Sequence, residues 1–221
     1  MLAGAAGIIG DAVQSFQGAG PAEFWIYFTI QSNLLLVAYF ALLLVRAPGR
    51  SGSGQDWLPV VKGAVTLYIL ITGLVFNLLL ANPASPFYVM ISETHYNWHS
   101  VMLHIVTPTA ALLDWLVFGP KGSLAWRHAL QWLGFPLLYL AFALVRGVMV
   151  TTGTRYPYPF VDVAQYGYGA VAINCVALAL AFYLLGVVLV AVDRRFTGRR
   201  HLAPVAPTAE TEPTAHSGRQ Y

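Results

Sequence analysis

Charge is what this sequence has least of. Only 10% of its 221 residues are Asp, Glu, Lys or Arg, whereas 57% are hydrophobic. A soluble domain carries about 25% charged and about 45–50% apolar residues. One soluble core could not bury so much apolar surface, but a bilayer solvates it. Cysteine is scarcer still. The single Cys175 stands in an apolar run, which excludes an intrachain disulfide and any cysteine-based metal site. It reads as a small buried hydrophobe. No solenoid period is present, nor an inverted repeat of the kind that marks transporters. The basic stretch that opens a signal peptide is missing from the first ten residues as well. The net charge of +3 does not point to nucleic acid. The basic residues sit in short connections between apolar runs, which is the pattern of membrane orientation.

Five such runs are present, at residues 24–45, 63–80, 101–118, 129–150 and 170–192. Each approaches or reaches the roughly 17–25 residues that carry a helix across the hydrocarbon core. The sequence therefore predicts an all-α, polytopic transmembrane helix bundle over residues 24–195, with five clear spans. Residues 1–10 are apolar but too short to cross, and Asp11 follows them. Residues 1–23 are expected to form either a partial first span, sixth in the bundle, or an interfacial segment. A Gly- and Ser-rich loop is expected near residues 48–56. Residues 196–221, rich in Pro, Thr and charge, are expected to be a disordered tail.

Lys and Arg set the orientation. Of the 12 in the chain, Arg46, Arg50, Lys62, Lys121, Arg127, Arg194, Arg195, Arg199, Arg200 and Arg219 fall in the first connection, the third connection and the tail. Only Arg155 lies in the alternate connections, and Arg146 lies within a span. This bias places the basic connections and the C-terminus on the cytoplasmic side of a cell membrane.

Polar side chains inside spans are expensive and are the first candidates for function. With this orientation Thr29 and His104 are each five residues from an outer boundary, so both lie about 8 Å deep. Arg146 is about 6 Å deep. Asn33, Asn77, Thr107 and Asn174 also fall in outer halves. Together these residues predict one polar cavity opening outward. Thr29, Ser32 and Asn33 share a helix face, being three and four residues apart. Interhelical hydrogen bonding is the commoner role of such residues in membranes. His104 reads either as a structural histidine or as a neutral imidazole able to take a proton from a facing hydroxyl. Arg146 either holds a substrate carboxylate or phosphate, or snorkels to the surface. Asp114, about 15 Å deeper than His104, is expected in the inner half, paired with a base of an inner connection or capped by hydroxyls. No cofactor is implied, because a bis-histidine haem needs a second embedded histidine. His95, His99 and Glu93 come nearest to a zinc set but fall short of a committed metal site. The Arg155–Asp162 stretch, with two prolines and three aromatics, reads as a stiff outer loop over the cavity mouth or as an interfacial anchor.

The strings Tyr27-Phe28-Thr29, Leu103-His104-Ile105-Val106-Thr107-Pro108 and Tyr156-Pro157-Tyr158-Pro159-Phe160, in this order near outer span ends, resemble the androgen-induced-gene family of membrane proteins. The resemblance covers roughly residues 24–195 and is nearer to six-span bacterial relatives. It implies a threonine hydrolase of fatty-acid esters of hydroxy fatty acids, the activity of the eukaryotic members, with Thr29 as nucleophile and His104 as base. The substrate would be a membrane lipid or other fatty-acyl ester. Asn33, Asn77, Thr107, Arg146 and Asn174 are then the candidates for binding substrate or stabilising the oxyanion. The histidine–proline spacing and the Gln31-Ser32-Asn33 continuation depart from the eukaryotic pattern. The competing reading is a non-catalytic carrier or regulatory scaffold that uses the same polar cavity for binding.

Overall fold

The computed structural model describes residues 1–17, 21–46, 58–89 and 97–200. The expected tail beyond residue 200, the loop at 48–56, His95 and Glu93 lie outside them. Every regular element among the described residues is helical. Five helices are long and apolar enough to cross a membrane, namely Phe28–Val45, Leu58–Leu80, Trp98–Phe118, Trp126–Met149 and Val163–Phe196. The chain is an α-helical membrane protein of several passes.

In chain order the elements are α1 (Leu2–Gln17), the short α2 (Pro21–Phe24), α3 (Phe28–Arg46) and α4 (Leu58–Val75). α4 continues as a π-helical turn, Phe76–Leu80. Next, α5 (Trp98–Val101) widens into a second π-helical turn, Met102–Val106, before α6 (Thr107–Phe118). The short α7 (Trp126–Gln131) leads into α8 (Gly134–Met149), and α9 (Val163–Arg200) closes the bundle. A kink in α9 falls at Gly167, whose φ of 73° is disfavoured for any residue with a Cβ.

Most helices outrun the apolar runs that predict them, because a hydrogen-bonded backbone continues into polar flanks that find partners. Lys62, expected in the first connection, sits in α4 and pairs with Asp114 at 2.6 Å. Asp193, beyond the last apolar run, is buried in α9 and accepts the amides of Gly122 and Leu124 at 3.0 and 2.9 Å. One boundary moves the other way. The chain turns at Trp25–Tyr27, and α3 begins at Phe28. Thr29 therefore stands in the first turn of its helix, not five residues inside it.

The main core joins α4, α7, α8 and α9 around Leu67, Ala129, Trp132, Ala143 and Val190. The connection between α8 and α9 contributes Tyr158, Phe160 and Val161 to that core, all buried. Small residues seat α1 against α3 and α5. A Cβ at Gly7 would stand 2.8 Å from Leu103, and one at Gly10 would stand 2.6 Å from the Trp98 indole. Such close backbone approach is how helices associate where lipid removes the hydrophobic drive.

Candidate functional site

The site begins with a proline. Pro108 has no N–H, so the carbonyl four residues back, His104 O, loses its helical partner. The ring also crowds that carbonyl, and the preceding turn is widened into the π-helix. Asn77, from the π turn that ends the facing span, supplies the missing donor. Its amide nitrogen donates to His104 O at 3.1 Å and to Gly73 O at 2.7 Å. Two irregular turns thus meet, and Phe76 stacks on the His104 ring at 3.8 Å between centroids.

The imidazole is fixed at both nitrogens. Nδ1 lies 3.0 Å from Ser100 O, one turn back on the same helix, and 3.2 Å from the Ser100 hydroxyl. A carbonyl only accepts, so Nδ1 carries the proton and Nε2 presents its lone pair. That lone pair faces the Thr29 hydroxyl at 3.3 Å. The geometry is that of a hydroxyl beside a neutral acceptor held in the right tautomer.

Comparison with family models, curated proteins and solved structures gives no match.

Thr29 is pinned along its backbone as well. Its carbonyl accepts from Asn33 Nδ2 at 2.9 Å and from the Ser32 hydroxyl at 3.1 Å. Ser32 in turn contacts the Thr72 hydroxyl at 2.7 Å. Because Thr29 lies in the first turn of α3, its N–H has no intrahelical acceptor. The Tyr158 hydroxyl accepts that N–H at 3.4 Å. Burial pushes the Tyr158 phenol up to about 12, so it stays protonated across the physiological range.

Two cavities meet at Thr29. The larger, about 560 Å³, is walled by polar groups of α1 and α5. It includes Asp11, Gln14, His99, Ser100 and His104. The smaller, about 80 Å³, is an apolar crevice between α4, α8 and α9. Leu137, half exposed on the outer surface of α8, lines this crevice, as do Cys175 and Phe182. The crevice therefore reaches the surface that faces lipid. Thr29, Phe76, Leu80 and Tyr158 border both spaces.

Of the residues expected to face one polar cavity, Thr29 and His104 do so. The other five lie outside the walls of both spaces. Asn33 and Asn77 hold the backbones of Thr29 and His104, as described above. Thr107 is buried beside Gly4 of α1. Asn174 donates to Phe160 O at 3.2 Å. Arg146 turns to the connection between α8 and α9, where Nε and Nη2 donate to Thr154 O at 3.2 and 3.0 Å. Thr154 N–H donates to Glu23 at 3.0 Å, and the Thr154 side chain, together with this N–H, holds the Glu23 carboxyl below its ordinary range. Asp114 pairs with a base, Lys62, which stands in α4 and not in a connection. No group of three or more His, Cys, Asp or Glu able to hold a metal occurs among the described residues.

Sequence reasoning passed over Ser100 and the α1 residues Asp11 and Gln14, and it kept Tyr158 as a loop aromatic. Ser100 had a signal, since it stands four residues before His104 and so one helical turn away.

Proposed function

We propose that this protein hydrolyses fatty-acyl esters within the membrane, with Thr29 as nucleophile and His104 as general base. The single observation that carries the reading is the 3.3 Å approach of the Thr29 hydroxyl to His104 Nε2, with Nδ1 committed to Ser100 O. The junction of a polar cavity with an apolar crevice at Thr29 supports it, since an ester needs room for both halves. The likeness to the androgen-induced-gene family, which we also propose, points to the same pair.

In the first step Thr29 Oγ1 bonds to the ester carbonyl carbon, and its proton passes to His104 Nε2. Negative charge then gathers on the carbonyl oxygen. Tyr158, fixed beside Thr29 and protonated, is the donor we assign to that oxygen. As the tetrahedral species collapses, the bond to the alcohol oxygen breaks. His104 returns its proton to that oxygen, and the alcohol departs through the polar cavity. Water from the same side attacks the threonine ester and loses its proton to His104. The fatty acid leaves, and Thr29 regains its hydrogen from Nε2. Phe76 and Ser100 keep the ring in plane and in tautomer throughout.

The basic connections and the tail would face the cytoplasm of a cell membrane, and the polar cavity would open to the opposite side. The test is hydrolysis of a long-chain fatty-acyl ester by purified protein in detergent. Thr29→Ala and His104→Ala should each remove activity while the helical content is kept. The double variant should be no worse than either single, because the two act as a unit. Full activity in Thr29→Ala would end the reading.

A further inference from the structure

The polar cavity also bears on which esters the site accepts, an inference that rests on the hydrolase reading above. Its walls carry one carboxylate, Asp11, beside the amide of Gln14 and the hydroxyls of Ser15 and Ser100. No Lys or Arg is found among the described residues that line it. Residues 1–27 and 81–100 contain none either. The two cations near this end of the bundle are engaged elsewhere. Arg146 donates twice to Thr154 O, and Arg155 donates twice to Gly147 O, at 3.2 and 2.8 Å.

His99 is the group that most needs a partner there. It is 5% exposed and lines the cavity, and its Nδ1 has no hydrogen bond. Asp11 Oδ1 stands 3.6 Å away, beyond hydrogen-bonding length. A hydroxyl placed in the cavity can both donate and accept, so it suits an imidazole and a carboxylate at once. A carboxylate or phosphate placed there would stand next to Asp11 with no Lys or Arg among the described lining residues to face it, and like-charge repulsion opposes it.

We propose that the alcohol half of the substrate is an uncharged polyol, so that the preferred substrates are monoacylglycerol-type esters and not esters with an anionic alcohol half. The first carbons of the acyl chain lie in the apolar crevice and the rest runs out past Leu137 into lipid, and the free hydroxyls of the polyol meet His99 and Asp11.

Three esters separate charge from bulk: monooleoylglycerol, the oleate ester of a hydroxystearic acid, and the methyl ester of that second compound. Purified full-length protein in neutral detergent at about pH 8, where a free carboxyl is ionised, should cleave monooleoylglycerol with kcat/KM about tenfold or more above the free acid. The methyl ester should also exceed the free acid. Asp11→Asn should narrow the gap between methyl ester and free acid, because it removes the like charge. A free acid cleaved as fast as its methyl ester overturns the inference and leaves the hydrolase reading standing. Cleavage of none of the three by folded protein overturns the hydrolase reading and this inference with it.

Discussion

Asn77 donates to the carbonyl of His104 at 3.1 Å, and that carbonyl is the one Pro108 leaves without its helical amide. Two residues on different spans are thereby coupled through one acceptor. Asn77→Leu should cost about 1–2 kcal/mol, since a buried carbonyl is left bare. In a Pro108→Ala background the restored amide can serve His104 O, so the same change should cost less than half as much. Thermal unfolding of the four proteins in detergent checks this. An equal penalty in both backgrounds would contradict the coupling.

Tyr158 is expected to act in the transition state and not in binding. Tyr158→Phe should lower kcat by about 10²-fold while leaving KM within a factor of about two, as loss of an oxyanion donor does. Because burial pushes this phenol up to about 12, the ratio of wild-type to variant rate should be flat from about pH 6 to pH 9. A ratio that changes across that window would show Tyr158 titrating, against the assigned role.

The spans were legible in the sequence because hydropathy over some 20 residues is set by the bilayer and needs no tertiary knowledge. The approach of Thr29 to His104 at 3.3 Å does not follow from counting residues inward from a boundary, because Thr29 opens α3 whereas His104 lies six residues beyond the start of α5. The start of α3 was not legible either. Phe24–Tyr27 is as apolar as the helix it precedes, and nothing in composition separates a buried turn from a first helical turn. Tyr158 escaped because prolines on both sides mark a surface loop, whereas Gly147 leaves room for Tyr156 and lets that loop sink into the bundle. Arg146 illustrates the limit of depth arguments. A position near the end of a span does not say that the guanidinium turns to Thr154.

The glycine seating of α1 has a matched control. A Cβ at Gly10 would stand 2.6 Å from the Trp98 ring, whereas one at Gly134 would meet nothing within 4 Å. Gly10→Ala should destabilise by about 1–3 kcal/mol and raise KM, because α1 walls the polar cavity. Gly134→Ala should be neutral or slightly stabilising. Equal effects in thermal unfolding and in KM would argue against a docked α1.

Cys175 offers a probe of the apolar crevice, which it lines with Leu178 and Phe182. Filling it with Cys175→Phe should shift chain-length preference toward short acyl groups. The kcat/KM ratio of butanoyl to oleoyl esters should rise about tenfold, the size of effect that pocket shape supports. An unchanged ratio would mean that the acyl chain lies elsewhere.

The claim at the centre is that Thr29 becomes covalently modified with the help of His104. Peptide mass spectrometry after treatment with an alkyl fluorophosphonate reads this directly. The expected result is a single phosphonyl adduct on Thr29 in the wild-type protein, absent from Thr29→Ala and strongly reduced in His104→Ala. An adduct that persists in Thr29→Ala, or a folded and ester-cleaving wild-type protein that takes no adduct at Thr29, would contradict it.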